Sequence, residues 1–151
     1  FGERGEKGFY LLNRTSNVGA KDLQSLVVVD QVDEKELYPL YMAVAHRIGR
    51  YSERWGNVGA VVGATSLMEL EELAAYYASR EIPLLIPGVG SQGGSASETV
   101  AILREVNYPL YLARINSSSG LTHPWKGEAA PKDWLDISIA NLASLIEECS
   151  L

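Results

Sequence analysis

The run Ile86-Pro87-Gly88-Val89-Gly90-Ser91-Gln92-Gly93-Gly94 decides the fold. It follows an apolar segment, Ile82-Pro83-Leu84-Leu85, that reads as a buried strand, and it precedes a helical pattern over 95–106. Glycines between strand and helix let backbone N–H groups approach an anion closely. A second small-residue turn, Ile115-Asn116-Ser117-Ser118-Ser119-Gly120, again follows a strand pattern. Two such turns on consecutive strands match the phosphate site of a β/α barrel, which is built from the last two βα loops.

Outward from this run, strand and helix patterns alternate in four units. The first is a strand over 9–13, the turn Arg14-Thr15-Ser16-Asn17-Val18-Gly19, and a short helix from about Lys21. Val27-Val28-Val29 fits either an extension of that helix or an extra extended piece. A charged connector covers 30–36. A long helix follows, with Leu37, Leu40, Tyr41, Val44, Ile48, Tyr51 and Trp55 on one face. Pro39 falls in its first turn, where proline is tolerated. The second unit is a strand over 58–62, the turn Gly63-Ala64-Thr65-Ser66, and a helix with Leu67, Leu70, Leu73, Ala74 and Tyr77 as its buried stripe. Ser66 and Glu69 have capping-box spacing, as do Ser95 and Glu98 in the third unit. The fourth is a strand over 109–115, the serine turn, an irregular stretch over 121–130, and a helix from near Pro131. Its apolar face is Trp134, Ile137, Leu142, Leu145 and Ile146. This alternation predicts an α/β fold with a parallel sheet and right-handed crossovers: four βα units, half of a (β/α)8 barrel. An open doubly wound sheet is the competing architecture, but no G-x-G-x-x-G follows the first strand. A lone half-barrel leaves two open strand edges and an uncovered sheet face.

Composition narrows the function. A chain of 151 residues is one domain with enough apolar content for a core. It carries 13 basic and 19 acidic residues, a net charge of −6, and no basic stripe, which argues against nucleic acid as a partner. Cys149 is the sole cysteine, so neither an internal disulfide nor a multi-cysteine metal site can form. That usage fits a reducing cytoplasm. No apolar run is long enough to span a membrane, and the N-terminus has no signal-peptide core. The chain opens on Phe1 rather than Met, and a fragment of a longer protein is the expectation.

Arg14-Thr15-Ser16-Asn17, Val61-Val62-Gly63-Ala64-Thr65, the glycine run and Ile115-Asn116-Ser117-Ser118 occur in that order. Together they resemble the C-terminal half of orotidine 5′-phosphate decarboxylase, in its longer bacterial variant. The resemblance implies that residues 1–151 form the C-terminal half-barrel of a decarboxylase domain whose N-terminal half is absent from this chain. It also implies conversion of orotidine monophosphate to uridine monophosphate and CO2, in pyrimidine synthesis, by a cytoplasmic homodimer that uses no metal or organic cofactor. By the same resemblance, Ser16 would contact the polar edge of the pyrimidine, and Pro87 would line the apolar pocket near the carboxylate. Gln92 would reach the phosphate, with Ser119 and Gly120 offering it backbone donors.

The sequence departs from the family pattern at Ser119, where an Arg is usual, and at Val18, where a Pro is usual. The family's catalytic Asp-x-Lys-x-x-Asp segment does not occur in these 151 residues. Asp33-Glu34-Lys35-Glu36-Leu37-Tyr38 imitates its start but ends in Tyr38 and follows the Thr-Ser-Asn motif; it reads as a solvated helix entrance. The chain by itself is therefore expected to bind without catalysing. Two other readings stay open: a non-catalytic phosphate-binding half-barrel that self-associates, and a barrel enzyme acting on a sugar phosphate. His46 reads as a surface or packing histidine. His123, in Leu121-Thr122-His123-Pro124-Trp125, is a loop residue within reach of the phosphate end and a lesser candidate contact. Two histidines are too few for a zinc site. Trp55, Trp125 and Trp134 read as packing residues, and Cys149 has no base partner that would make it a nucleophile.

Overall fold

The computed structural model describes residues 6–31, 36–125 and 127–150. Four strands form one sheet: β1 (Phe9–Arg14), β4 (Val58–Val62), β5 (Leu84–Pro87) and β6 (Ala113–Asn116). They lie in the order β1-β4-β5-β6, and every neighbouring pair is parallel. Helices α2 (Leu40–Trp55), α3 (Leu67–Ala78) and α4 (Ala96–Glu105) make the crossovers, and α6 (Trp134–Cys149) follows the last strand. This is the four-unit parallel arrangement that the alternating pattern predicts.

The sheet is two-faced. Val58, Ala60, Val62, Leu84 and Ile86 are buried in a core shared with Ile48 of α2, Leu70, Leu73 and Tyr77 of α3, and Leu103 of α4. The alternate positions on β1 and β6, Tyr10, Leu12 and Arg114, are exposed. Successive strand side chains point to opposite faces, so one face is covered by helices and the other is open. Within the core, Tyr77 donates its hydroxyl to Asn13 Oδ1 at 2.5 Å, and Asn13 Nδ2 donates to the Tyr41 carbonyl at 2.7 Å. Burial pushes the Tyr77 phenol well above its ordinary range, which keeps that proton in place.

Several boundaries differ from the sequence reading. Leu37–Pro39 is not helical: it is strand β3, antiparallel to β2 (Val27–Val29), so the three valines are extended. Helix α2 starts at Leu40 and buries Tyr41, Met42, Ala45, His46, Ile48 and Gly49, while Tyr51 lies mostly outside. The predicted helix entrance at Asp33-Glu34-Lys35 lies outside the described residues. The stretch expected as strand from 109 forms a 3-10 turn at Leu110–Leu112, and pairing begins only at Ala113. Helix α6 begins at Trp134 rather than near Pro131, and its apolar side is largely exposed, with Trp134, Leu142 and Ile146 all solvent-facing. No helix among the described residues is long and apolar enough to cross a membrane.

The β2–β3 hairpin is fastened to α2 by a buried charge. Asp30 is fully buried; His46 donates from Nδ1 to its Oδ2 at 2.7 Å, and Arg47 donates to its Oδ1 at 2.9 Å. His46 is thus a packing residue, set edge-on to Tyr38 at 4.7 Å between ring centroids. Asp30→Ala leaves buried His46 Nδ1 without its acceptor, while half-exposed Arg47 keeps the Ala43 carbonyl, and is expected to lower stability by about 1–3 kcal/mol in urea unfolding. A loss below about 1 kcal/mol, the scale of an exposed pair, would contradict this picture.

Candidate functional site

Because the four strands are parallel, the turns that follow them emerge at one edge of the sheet. These are the turns singled out from the sequence, and they are stitched together by backbone. Gly63 N–H donates to the Arg14 carbonyl at 2.8 Å, and Ala64 N–H donates to the Pro87 carbonyl at 2.8 Å. A Cβ on Gly63 would sit 2.8 Å from Ser16 N and Cα; one on Gly88 would sit 2.7 Å from Ser16 Cβ. Gly88 also has φ +99°. The missing side chains therefore let the turns after β4 and β5 close onto Ser16.

Ser16 is brought against Gln92 across the sheet edge. Its hydroxyl donates to Gln92 Oε1 at 2.5 Å, and its carbonyl accepts from Thr65 Oγ1 at 3.0 Å. With Oε1 engaged, the Nε2 donors of Gln92 remain for a ligand. The turn bearing Ser16 is itself held from below. Arg14, at the end of β1, donates from Nε to Glu69 Oε2 at 2.5 Å, and both side chains are buried. Both arms of the capping-box reading at Ser66 and Glu69 fail: Ser66 makes no side-chain cap, and the Glu69 carboxylate serves the buried guanidinium. Ser95 does cap α4, accepting from Glu98 N–H at 3.2 Å.

The glycine run closes on itself. Gly94 N–H donates to the Gly88 carbonyl at 3.0 Å, Gly90 N–H to the Gly94 carbonyl at 2.8 Å, and Gly93 N–H to the Gly90 carbonyl at 2.9 Å. The serine turn leads into a short helix, α5 (Ser119–Thr122). As its first residues, Ser119 and Gly120 have amides with no helical acceptor. The two turns meet where the Ser91 and Ser119 hydroxyls lie 2.7 Å apart. Around that contact lies a cleft of about 510 Å³, lined by Ser91, Gly94, Ser117, Ser119, Gly120, His123, Asn141 and Glu148 among others. Asn141, from α6, donates to the Gly120 carbonyl at 3.3 Å.

The five residues chosen from sequence thus fall in two adjoining places. Ser119 and Gly120 line the cleft. Ser16 and Gln92 bond to each other outside its lining, and Pro87 closes β5, its carbonyl taken by Ala64. No Arg or Lys lies among the described residues of the cleft wall, where His123 and Glu148 are the ionisable side chains. Arg114 turns back along its own strand, donating to the Tyr111 and Ala113 carbonyls. The sequence assigns no role to Asn141 or to Gln24, whose Oε1 accepts from Thr15 N–H at 3.0 Å, and it reads Glu69 only as a helix cap, since nothing in their helices' spacing points to these turns. Burial and the neighbouring Glu148 raise the Cys149 thiol, away from thiolate chemistry. No cluster of three or more metal-ligating side chains occurs among the described residues.

No family model matches the sequence. The chain is 38% identical over 133 residues to an orotidine 5′-phosphate decarboxylase of Haloarcula marismortui, covering 88% of this chain and 43% of that protein. It superimposes on Leishmania donovani OMP decarboxylase with a TM-score of 0.67 and 27% identity, over 100% of this chain and 52% of that one. It also superimposes on Leishmania donovani UMP synthase with a TM-score of 0.68 and 30% identity, over 97% of this chain and 29% of that one. The chain therefore spans less than half the length of its curated relative.

Proposed function

The chain belongs, as a partial member, to the orotidine 5′-phosphate decarboxylase family, and on that premise we propose that it is the nucleotide-binding C-terminal half of such an enzyme's barrel. The complete enzyme converts orotidine monophosphate to uridine monophosphate and CO2, and the Asp-x-Lys-x-x-Asp segment of the other half carries the bond-breaking chemistry. The observation that carries this reading is the Ser16–Gln92 hydrogen bond, which joins turns 76 residues apart. Ser16 then contacts the polar edge of the pyrimidine, and Gln92, tied to Ser16 through Oε1, reaches the phosphate with Nε2. Pro87 lines the apolar side of the reacting carboxylate. Ser119 and Gly120 offer amides to the phosphate beside Ser91. Holding a remote dianion in this way supplies binding energy that positions the reacting carbon.

In this reading the missing half pairs with the free edges of β1 and β6 and covers Tyr10 and Leu12. The complete protein is a cytoplasmic homodimer that needs no cofactor. Titration calorimetry with uridine 5′-phosphate tests the binding role. Gln92→Ala is expected to weaken binding by about 1–3 kcal/mol, the value of a hydrogen bond to a charged group. Unchanged affinity would remove Gln92 from the site.

The absence of Asp-x-Lys-x-x-Asp from these 151 residues favours a second reading, a phosphate-binding half-barrel without catalysis. It differs in one outcome: the intact natural protein would bind uridine 5′-phosphate and turn over nothing.

A further inference from the structure

We propose that Gln24 is a positioning residue for pyrimidine recognition, fixing the Thr15-Ser16 turn so that Ser16 meets Gln92. The proposal rests on the nucleotide-binding reading above and deepens it.

Gln24 is the last residue of α1 (Ala20–Gln24). Its Oε1 accepts from Thr15 N–H at 3.0 Å and from Arg14 Nη1 at 3.1 Å, while its Nε2 donates to Thr15 Oγ1 at 3.0 Å. One carboxamide therefore holds Thr15 by backbone and side chain at once. Arg14 cannot drift, because its Nε is bound to buried Glu69 on α3. Ser16 is next in the chain, with its carbonyl fixed by Thr65 and its Cβ facing Gly88. The clamp thus sets the direction of the Ser16 hydroxyl before any ligand arrives, sparing the ordering cost at binding. Gln24 takes no part in the Ser91–Ser119 contact or in the cleft wall. Its influence therefore falls first on Ser16, at the base end of the site.

The test is titration calorimetry of the full chain with uridine 5′-phosphate and, separately, ribose 5-phosphate, which has the phosphate and no base. Gln24→Met keeps the length of the side chain and removes the polar clamp. It is expected to weaken uridine 5′-phosphate about tenfold, the scale of one lost hydrogen bond to a ligand, and to leave ribose 5-phosphate within about twofold. Gln24→Glu keeps the acceptor for Thr15 N–H and Arg14, and should restore binding to within about threefold of the parent. Thermal unfolding accompanies each titration. An unfolded Gln24→Met chain, equal losses for both ligands, or no loss for either would make Gln24 merely structural and overturn the proposal. A parent chain that does not prefer uridine 5′-phosphate over ribose 5-phosphate would instead overturn the nucleotide-binding reading itself.

Discussion

Assayed by itself, the 151-residue chain is expected to release no carbon dioxide from orotidine 5′-phosphate. The turns at the strand ends offer hydroxyls, amides and the carboxamides of Asn17, Gln92 and Asn116, groups suited to holding a nucleotide. Their cation, Arg14, is buried against Glu69 and so is not placed to stabilise charge building on a reacting carbon. Contacts of equal strength in the ground and transition states do not speed the chemical step. Enzymes gain roughly 10⁶-fold or more over the uncatalysed reaction, and in the proposed division of labour the Lys of an Asp-x-Lys-x-x-Asp segment would supply that gain. A longer protein that joins this chain to an Asp-x-Lys-x-x-Asp strand should turn over, and replacing that Lys should abolish turnover while binding of uridine 5′-phosphate persists. Measurable decarboxylation by the 151-residue chain would contradict this division of labour.

Gly88→Ala is the point substitution with the broadest expected damage. At φ +99° an L side chain is strained, and its Cβ would press to 2.7 Å from Ser16 Cβ. Backbone strain of that kind and overpacking of a closed turn each cost about 1–3 kcal/mol, so a combined loss of roughly 2–5 kcal/mol is expected. That is a large share of the roughly 5–15 kcal/mol by which domains are stable. Relief of the clash pushes the Ser16 turn away from Gln92, so the hydrogen bond between them should fail as well. Urea unfolding and calorimetry with uridine 5′-phosphate measure the two effects. A variant with parental stability and affinity would show that the turns do not depend on this close approach.

The parallel sheet was legible because each strand pattern is followed by a helical one, and the paired turns were legible from their glycine and serine content. What escaped the sequence depends on partners distant along the chain. Leu37 fits a helical stripe, yet Pro39 adopts φ −57°, ψ 145°, and Val27–Val29 captures the segment as a strand. Glu69 has capping-box spacing, yet a buried Arg14 requires a carboxylate more than the helix end does. The apolar run 109–112 fits strand and helix patterns alike, and short runs of that kind are not separable by periodicity. The stripe expected on α6 is only partly its packed side: Leu145 and Cys149 lie against the core while Trp134, Leu142 and Ile146 face solvent, because periodicity does not say what covers a helix face.

The site residues rest on the family resemblance: it named Ser16, Pro87, Gln92, Ser119 and Gly120, and the parallel sheet brings the turns that carry them to one edge. Their division between a Ser16–Gln92 contact and a serine-lined cleft was not legible. The first depends on Gly88 admitting Ser16, and the second on Asn141 and Glu148 arriving from a helix that no motif connects to the turns.

The most direct measurement is an amide chemical-shift titration of the labelled chain with uridine 5′-phosphate. If one phosphoryl group is held between both turns, as proposed, the amides of Ser91, Gln92, Ser119 and Gly120 should move together and yield one dissociation constant. Shifts confined to one turn, or clustered elsewhere on the molecule, would contradict a shared phosphate site.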